Sequence, residues 1–329
     1  MLPRASSPEY YGELPSLRRL EASLNKLSFP VISPRMGGPL QHYPGQLSVY
    51  ILKILQFGAM LGYTGPKTLL LSKNLSSAFL LPQVMEEKIQ ADLRLGRIAE
   101  TTPTFPLISS PLGFVPKPNG SWRKIHHLSF PEGSSVNDYI FPESAYIQYV
   151  SFENVLGMVR RAGKGCLILR RDMKDAFRII PVAPHQRWLL AFEWAGKYYT
   201  ECVLPFGLST APFIFNLFAE AWHWILQSYL GWELLEHYLD DNMAAIKAIK
   251  ATPELLIRTA HEYKLLCAIV GIIRNDKKDA CGTEVVLLGR LVNSVTQTIS
   301  VPQDKLNRVI LLTQKPFNKD LLPYWRHSP

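Results

Sequence analysis

The sequence predicts an α+β fold in which an antiparallel sheet is backed by helices, and three stretches lead to this prediction. Cys166–Leu169 is an apolar run typical of a buried strand, and Asp172 falls where that strand would end. Residues 233–246 hold two strand-forming runs around an Asp-Asp pair, which is the pattern of a β-hairpin. Between them, a helix with apolar residues at core spacing is expected to begin near Ala211.

The composition is that of a globular protein with a positive surface. The 329 residues are 47% hydrophobic and 19% charged, and the formal net charge is +9. A chain of this length can bury one large core or two smaller ones. The positive charge favours an acidic partner such as nucleic acid.

The cysteines and the apolar segments favour an intracellular protein, in the cytoplasm or nucleus, with no membrane partner. The cysteines are widely spaced and expected to be reduced and mostly buried: Cys166, Cys202, Cys267 and Cys281. Prolines interrupt the polar N-terminus, so no signal peptide is expected. The longest apolar stretch, Leu265–Ile273, is too short to span a bilayer.

Residues 1–103 are expected to form an extension that is first irregular and then helical. Seven prolines within residues 1–50 forbid long helices there. A first helix is predicted over Ser48–Gly62, with Ser48 as a possible N-cap. A second is predicted over Leu80–Ile98 as a surface helix leading into the main domain.

Residues 109–125 predict two short strands joined by a Pro-Asn-Gly turn. Lys117 would end the first strand, and Arg123 and Lys124 would lie on the second. Cations near the tip of a hairpin are suited to binding a polyphosphate. A basic hairpin taken alone is more often only a solvated surface.

Asp172, Asp240 and Asp241 are candidate ligands of a cation. A buried carboxylate at a strand end is costly unless it is paired or metal-bound. Two adjacent carboxylates repel and gain little unless a cation lies between them. An isolated Asp-Asp pair is usually a solvated turn, so the upstream Asp172 decides in favour of a site. Asp175 either caps the following turn or binds metal, and both interpretations stay open.

Pro205-Phe206-Gly207 predicts a turn in which glycine permits a positive φ and close approach of a ligand to the backbone. Ser209 or Thr210 is expected to cap the helix that follows, with Pro212 in its first turn.

Several motifs, in this order along the chain, resemble those of reverse transcriptases. The palm motifs are Asp172-Met-Lys-Asp-Ala-Phe177, Leu204-Pro-Phe-Gly-Leu-Ser-Thr-Ala-Pro212 and Tyr238-Leu-Asp-Asp241. The fingers motifs are Pro111–Lys117 and Trp122-Arg-Lys124. Val270–Lys278 and Leu287–Leu291 resemble the motif after the active-site hairpin and the primer-grip hairpin. The resemblance covers residues 104–300 and, with Gly133-Ser-Ser-Val-Asn137, is closest to retrotransposon polymerases of the DIRS-like or LTR type.

The resemblance implies a right-hand polymerase fold with fingers, palm and a truncated thumb. The expected domains are an N-terminal extension (1–103), fingers (104–165), a palm with a fingers insertion near 183–204 (166–300) and the start of a thumb or connection (301–329). A thumb needs several helices, and only Asp304–Gln314 could begin one. Segments for ribonuclease H, integrase, recombinase or protease are not expected.

The implied activity is template-directed DNA synthesis from dNTPs, on a primed RNA or DNA template with RNA favoured. Asp172, Asp240 and Asp241 would hold two divalent cations, Mg²⁺ with Mn²⁺ as an alternative. In the family, the position of Asp241 is often less directly engaged than that of Asp240. The sequence gives no indication of the oligomeric state.

The resemblance also assigns a nucleotide site and a primer grip. The dNTP-binding residues would be Lys117, Arg123, Lys124, Asp175, Ala176, Phe177, Phe206, Gly207 and Lys278. Phe177 aligns with the steric-gate aromatic residue that excludes a ribose 2′-hydroxyl. Lys278 aligns best with the family's lysine near the pyrophosphate, and Lys277 is the near alternative. The primer grip would be Leu288, Gly289 and Arg290.

Two alternatives and one departure accompany this interpretation. The chain could be a catalytically inactive, nucleic-acid-binding remnant that lacks the thumb and ribonuclease H. It could instead make RNA on an RNA template, although Phe177 argues against that. His126-His-Leu-Ser129 replaces the usual charged residues, so a secondary salt bridge in the fingers is expected to be missing.

Overall fold

The computed structural model describes residues 37–40, 42, 43, 45–117 and 120–313. The helices among them are α1 (Gly37–Leu40), α2 (Leu47–Phe57), α3 (Pro82–Arg94), α4 (Phe152–Ala162), α5 (Ala211–Leu230), α6 (Pro253–Val270) and α7 (Gln303–Thr313). Short 3-10 turns lie at Ser76–Leu80, Asn137–Tyr139, Pro142–Ala145, Ala176–Ile179, Pro184–Leu190 and Ala248–Lys250.

The strands of the described residues form four sheets. They are β1 (Leu69–Leu71), β2 (Ile98–Thr101), β3 (Leu107–Ser109), β4 (Leu112–Pro116), β5 (Trp122–His126), β6 (Leu167–Asp172), β7 (Ala191–Trp194), β8 (Lys197–Glu201), β9 (Leu235–Tyr238), β10 (Asp241–Ile246), β11 (Ala280–Gly282), β12 (Glu284–Leu287), β13 (Arg290–Asn293) and β14 (Thr298–Ser300). Their orders are β1-β3-β7-β8-β2, β11-β6-β10-β9, β12-β13-β14 and β4-β5.

The central sheet, β11-β6-β10-β9, is antiparallel throughout. Its register pairs Asp241 with Asp172 across β10 and β6, and Asp241 with Tyr238 across the β9–β10 hairpin. The predicted antiparallel sheet and its hairpin are therefore confirmed. Since β6 ends where β10 begins, the two acidic stretches lie at the same edge.

Both faces of the central sheet are buried, because successive side chains point to opposite sides. Ile168 and Met243 pack into a cluster with α4, β12 and β13. Leu169 and Ala244 pack into the larger core with α5 and α6. The predicted core face of α5 is confirmed by its buried side chains: Phe215, Phe218, Ala219, Trp222 and Ile225.

The β4–β5 hairpin and the five-stranded sheet are separate from the central sheet. The five-stranded sheet is mixed, with parallel pairs β1–β3 and β3–β7 and antiparallel pairs β7–β8 and β2–β8. A third cluster packs α3 against it through Met85 and Ile89. Residues 183–204 contribute β7 and β8 to this sheet, although they follow β6 in sequence. The domain boundaries stay predictions.

Two predicted helices are shorter than expected. Helix α2 begins at Leu47, after the N-cap position Gln46, so Ser48 lies inside its first turn, where the hydroxyl donates to the carbonyl of Gly45. It ends at Phe57, where Gly58 takes a φ of 86°. Helix α3 occupies only Pro82–Arg94, because the chain turns at Gly96 and enters β2 at Ile98.

Other local predictions have mixed outcomes. Thr210 is the N-cap position of α5, but its hydroxyl donates to the carbonyl of Leu61 instead of capping the helix. The predicted helix over Asp304–Gln314 is found as α7. The proline-rich residues 1–36 and the Pro118-Asn119 part of the hairpin turn lie outside the described residues.

The cysteines are free thiols, and three of them, Cys166, Cys202 and Cys267, are buried as expected. Cys281 is exposed. None of the helices in the described ranges combines the length and the apolar character that crossing a membrane requires.

Candidate active site

Asp172 is a buried carboxylate whose oxygens are both occupied. Its side chain is almost fully enclosed, with 1% exposed. Oδ1 accepts a hydrogen bond from Asn275 Nδ2 at 2.8 Å, and Oδ2 lies 2.8 Å from Lys278 Nζ. Its backbone is fixed too, since its N–H donates to Asp279 and its carbonyl accepts from the N–H of Asn275. Such pairing is what makes a buried charge at a strand end tolerable.

Asp240 lies in the two-residue turn of the β9–β10 hairpin. Leu239, the other turn residue, takes a φ of 52°, as tight hairpin turns require. The carbonyl of Asp240 accepts a hydrogen bond from the N–H of Met173 at 3.0 Å. This bond joins the turn to the chain immediately after Asp172, so it fixes how the two acidic stretches meet.

Asp241 is held by Arg170, its neighbour on β6. Arg170 Nη2 lies 2.9 Å from Oδ1 and 3.0 Å from Oδ2, and Nε donates to Oδ1 at 3.1 Å. Burial raises the pKa of Asp241, Arg170 opposes that change, and Asp172 adds to it. Burial also raises the pKa of Asp240 to about 6, with Asp172 and Asp241 contributing and Lys278 opposing.

Both shifts are caused mainly by burial, and the charge of Asp172 adds to each of them. Within the described ranges, Asp240 is the one of the three without an ion-pair partner. The same part of the chain contains no cluster of three or more acidic, His or Cys side chains arranged to hold a metal. The donor chemistry nevertheless fits a hard divalent cation, since three repelling carboxylates at one sheet edge supply oxygen ligands. Their role as ligands stays a prediction.

Asp175 does not cap the turn that follows it, and the metal-binding alternative stays a prediction. It takes a φ of 64° before the Ala176–Ile179 turn, and its side chain makes no capping bond there. Its Oδ2 accepts from Arg97 Nη2 at 2.6 Å. Ala176 is buried and begins the turn that carries Phe177.

The three predicted cations of the β4–β5 hairpin divide between its two faces. The register places Lys124 opposite Phe114 and Arg123 opposite Val115. Arg123 is exposed and Lys117 is partly exposed. Lys124 instead points inward, where its Nζ lies 2.8 Å from Asp92 Oδ2 and over the ring of Phe192. In this conformation, Lys124 is not available to a phosphate.

Phe177 is the centre of a small aromatic group. Its ring centroid lies 5.2 Å from that of Phe206 and 5.5 Å from that of Phe215. Phe215 belongs to the core, whereas Phe206 is 48% exposed. Phe177 is therefore backed by a fixed ring on one side and borders an exposed ring on the other.

Gly207 allows close approach, but to the protein's own backbone. A Cβ at this position, where φ is 104°, would lie 2.4 Å from the carbonyl oxygen of His126. Asn137 holds the same turn by donating to the carbonyl of Gly207 and accepting from the N–H of Ser209. The predicted ligand approach at Gly207 stays a prediction, and the role of Asn137 was missed although its motif was noted.

Two of the predicted primer-grip residues, Leu288 and Gly289, form the turn between β12 and β13, and Arg290 is the first residue of β13. Leu288 and Gly289 both take positive φ values, 44° and 80°. The Gly289 carbonyl accepts from Lys305 Nζ at 2.9 Å, which ties the turn to α7. The Arg290 guanidinium lies 4.3 Å from the ring of Phe152 on α4.

Several residues that contact the predicted site residues were not found from the sequence: Asp92, Arg97, Asn137, Arg170 and Asn275. Arg170 and Asn275 were within noted stretches, and their polar character beside an acidic motif was the available signal. Asp92 and Arg97 are remote in sequence and carried no signal.

The antiparallel central sheet and the helices behind it fit a polymerase fold, and comparison with known proteins identifies the family. The family model described as reverse transcriptase (RNA-dependent DNA polymerase) matches residues 115–290. The chain therefore belongs to the reverse transcriptase family, as its motifs predicted.

Relatives include viral and transposon polyproteins. A Pro-Pol polyprotein of feline foamy virus is 30% identical over 109 residues, covering 33% of this chain and 9% of the relative. The Tf2-3 transposon polyprotein of Schizosaccharomyces pombe is 26% identical over 169 residues, covering 50% of this chain and 11% of the relative. The matched segments are thus a small part of both polyproteins.

Solved structures share the fold. A foamy viral protease-reverse transcriptase in complex with RNA/DNA hybrid has a TM-score of 0.59 at 17% identity, covering 94% of this chain and 39% of that one. A second foamy viral structure, in complex with double-stranded DNA, has a TM-score of 0.56 at 18% identity, covering 93% and 51%. The predicted α+β polymerase fold is confirmed.

Proposed function

We propose that this chain carries the polymerising site of a retroelement reverse transcriptase and acts inside the cell. Its reaction would be template-directed DNA synthesis from dNTPs on a primed template, with RNA favoured. The observation that carries the proposal is the register that sets Asp172 opposite Asp241, with Asp240 in the adjoining turn. Three carboxylates from two separate stretches are costly to gather unless the protein uses them.

The nucleic-acid partner is supported by charge and by the neighbours. The net charge of +9 favours a polyanion. The foamy viral structures with this fold are complexes with double-stranded DNA and with RNA/DNA hybrid. We extend those partners to this chain as part of the proposal.

Asp172, Asp240 and Asp241 would hold two Mg²⁺ ions, with Mn²⁺ as an alternative. When bound, these ions ease deprotonation of the primer 3′-hydroxyl and stabilise charge on the departing pyrophosphate. Burial raises the pKa of Asp240 and of Asp241, and repulsion from Asp172 adds to it, so a bound cation would favour the ionised form of both carboxyl groups.

The remaining residues would bind and orient the substrates. Exposed Arg123 and partly exposed Lys117 would contact the triphosphate, and Lys278, 54% exposed beside Asp172, would reach the pyrophosphate end. Phe177 would exclude a 2′-hydroxyl, supported from behind by Phe215. The Leu288-Gly289-Arg290 turn would contact the primer strand.

A second candidate function is nucleic-acid binding without catalysis. It is favoured by the two ion pairs that already occupy Asp172 and Asp241. In that case Arg170 and Lys278 would neutralise Asp241 and Asp172 permanently.

A primer-extension assay separates the two functions. The wild-type chain is incubated with primed RNA or DNA templates, dNTPs and Mg²⁺, and template binding is measured separately by fluorescence anisotropy. Extension that disappears in Asp240→Asn while template binding remains supports the polymerase. Asp276→Asn is the matched control, because Asp276 is an exposed carboxylate in the nearby loop, paired with Arg274. Binding without extension by the wild type supports the non-catalytic function.

A further inference from the structure

Asp92, on α3, is the meeting point of three cations from different parts of the fold. Its Oδ2 lies 2.8 Å from Lys124 Nζ and 3.2 Å from Arg178 Nη2. Its Oδ1 lies 3.9 Å from Arg97 Nη1. One carboxylate thus joins the β4–β5 hairpin, the turn after β6 and the segment before β2.

The cations around Asp92 reach onward to two further carboxylates. Arg178 Nη1 lies 2.5 Å from Glu201 Oε2, and Arg97 Nη2 lies 2.6 Å from Asp175 Oδ2. The network formed by Asp92, Arg97, Lys124, Asp175, Arg178 and Glu201 is buried at Arg178 and Glu201 and half-buried elsewhere, and it balances three positive against three negative charges. We call these six residues the fingers network.

His126, which lies beside the fingers network, adds no charge to it. Burial, followed by the neighbouring Lys124, lowers the pKa of His126 to about 3, although its bond to the Ala191 carbonyl opposes this. The 3.9 Å contact of His126 with Glu201 is therefore not an ion pair at neutral pH. The predicted loss of a salt bridge near this motif is accompanied by another set of ion pairs, centred on Asp92.

Burial makes the balance of charge matter. Arg178 is 8% exposed and Glu201 is 1% exposed. Burial would raise the pKa of Asp92, but Lys124, Arg178 and Arg97 hold it below its ordinary value. Removing one partner from such a network leaves a buried charge unpaired, which is more costly than losing a surface ion pair.

The fingers network also joins the two sides of the proposed nucleotide site. Lys124 directly follows exposed Arg123 on β5, and the two side chains point to opposite faces. Arg178 directly follows Phe177, and the N–H of Arg178 donates to the carbonyl of Asp175. Asp92 therefore ties the strand that presents Arg123 to the turn that presents Phe177.

We infer that Asp92 is a positioning residue of the nucleotide site, fixing Arg123 relative to Phe177 so that triphosphate and sugar are bound in one geometry. This inference rests on the proposed function. It assigns Lys124 to the support of the site instead of to phosphate contact, and it adds Arg97 and Arg178 as partners.

The test measures nucleotide binding separately from chemistry. The full chain is bound to a primer-template whose primer ends in a dideoxynucleotide, and the Kd of the next correct dNTP is measured in Mg²⁺. Asp92→Asn is expected to raise this Kd roughly tenfold to a hundredfold, because a small misplacement of binding groups weakens binding by that much. It should also narrow the preference for dNTP over rNTP, with primer-template affinity unchanged. Glu100→Gln, which removes an exposed ion pair with Lys197, is the matched control and should leave all three unchanged.

A double variant distinguishes positioning from mere stability. Asp92→Asn with Lys124→Met removes the unpaired ammonium and should restore the thermal stability lost in Asp92→Asn. If Asp92 positions the nucleotide site, the Kd for dNTP stays raised in the double variant. If dNTP binding recovers together with stability, or is normal in Asp92→Asn, the inference is wrong.

The inference and the proposed function fail in different ways. A wild-type chain that binds dNTP on the terminated primer but does not extend an ordinary primer contradicts polymerisation, while the Asp92→Asn comparison still decides the inference. A wild-type chain that extends primers, with unaltered nucleotide binding in Asp92→Asn, overturns the inference alone. A wild-type chain that binds no dNTP overturns both.

Discussion

Arg170 contacts both carboxylate oxygens of Asp241 across the central sheet, at 2.9 and 3.0 Å. Asp240, the adjacent residue in sequence, has no ion-pair partner within the described ranges. The carboxylate of Asp241 is thus held in an ion pair, and that of Asp240 is not. Their different environments give them different expected roles.

Asp240→Asn is expected to lower primer extension more than Asp241→Asn. Asp240→Asn should lower kcat roughly a thousandfold, because the Asp240 carboxylate would act directly on the charge that develops during the reaction. Asp241→Asn should cost roughly ten- to a hundredfold, since Arg170 already neutralises part of that charge. Single-turnover extension measures both, and equal losses would contradict the proposed difference in engagement.

The free energy of unfolding of the metal-free protein should respond to pH through Asp240. Its pKa is about 6 in the folded chain, against an ordinary value of 3.8. Between these values the folded chain binds more protons than the unfolded chain, so stability falls as pH rises. In Asp240→Asn this fall should shrink, leaving the variant more stable at pH 7 by on the order of 1 to 2 kcal/mol after solvent screening.

Urea unfolding in a chelator, at pH 4 and at pH 7, measures this difference. The two proteins should be closest in stability at pH 4 and furthest apart at pH 7. A variant that is less stable than wild type at pH 7 would show that the ionised Asp240 side chain does not destabilise the folded chain.

Phe177→Ala should relax discrimination against ribonucleotides. Loss of the ring opens space beside the sugar, so the efficiency of rNTP relative to dNTP incorporation should rise roughly ten- to a hundredfold. Because Phe177 is half-buried against Phe215, stability should fall by about 2 kcal/mol. Phe79→Ala is the control and should leave the ratio unchanged, because Phe79 also packs on another ring, that of Trp194, but lies outside the predicted nucleotide site. An unchanged ratio in Phe177→Ala would reject the steric-gate assignment.

Lys278→Gln should reduce kcat/KM for dNTP roughly tenfold, whereas Lys277→Gln should have little effect. Lys278 Nζ lies 2.8 Å from Asp172, so its charge is at the site. Lys277 is an exposed neighbour with the same charge and no such contact. Steady-state kinetics of single-nucleotide addition compare the two. A larger effect in Lys277→Gln would move the predicted pyrophosphate contact by one residue.

Gly207→Ala should destabilise the protein by about 2 to 4 kcal/mol, through strain at positive φ and a clash with backbone that cannot move aside. The added Cβ would lie 2.4 Å from the His126 carbonyl oxygen. Gly196→Ala separates the two causes, because Gly196 has a φ of 80° and open space around its missing Cβ. It should cost about 1 kcal/mol. Equal losses in urea unfolding would show that the clash is relieved.

Local sequence patterns were sufficient to predict those strands whose formation depends on residues close together in the chain. The apolar run before Asp172 and the two runs around Asp240-Asp241 predicted β6, β9 and β10, because strand formation depends on neighbouring residues. The acidic edge followed once both stretches were placed in one sheet.

The sequence was less informative about side-chain partners. Lys124 was grouped with Arg123 as a phosphate contact, but strand alternation turns it inward toward Asp92. Asp175 was expected to cap the turn or to bind metal; it makes no capping bond and pairs with Arg97, and a metal-binding role stays a prediction. Lys124 and Asp175 each meet a partner that is far away along the chain.

By itself, the sequence determined the family, the α+β class and the positions of the three aspartates, because each depends on residue type within a short stretch. Only the tertiary structure decided which cation each carboxylate meets. Arg170 with Asp241, Lys278 with Asp172 and Asp92 with Lys124 are brought together by sheet register and helix packing. The Coulomb energy depends on distance and burial in the folded chain, neither of which the order of residues specifies locally.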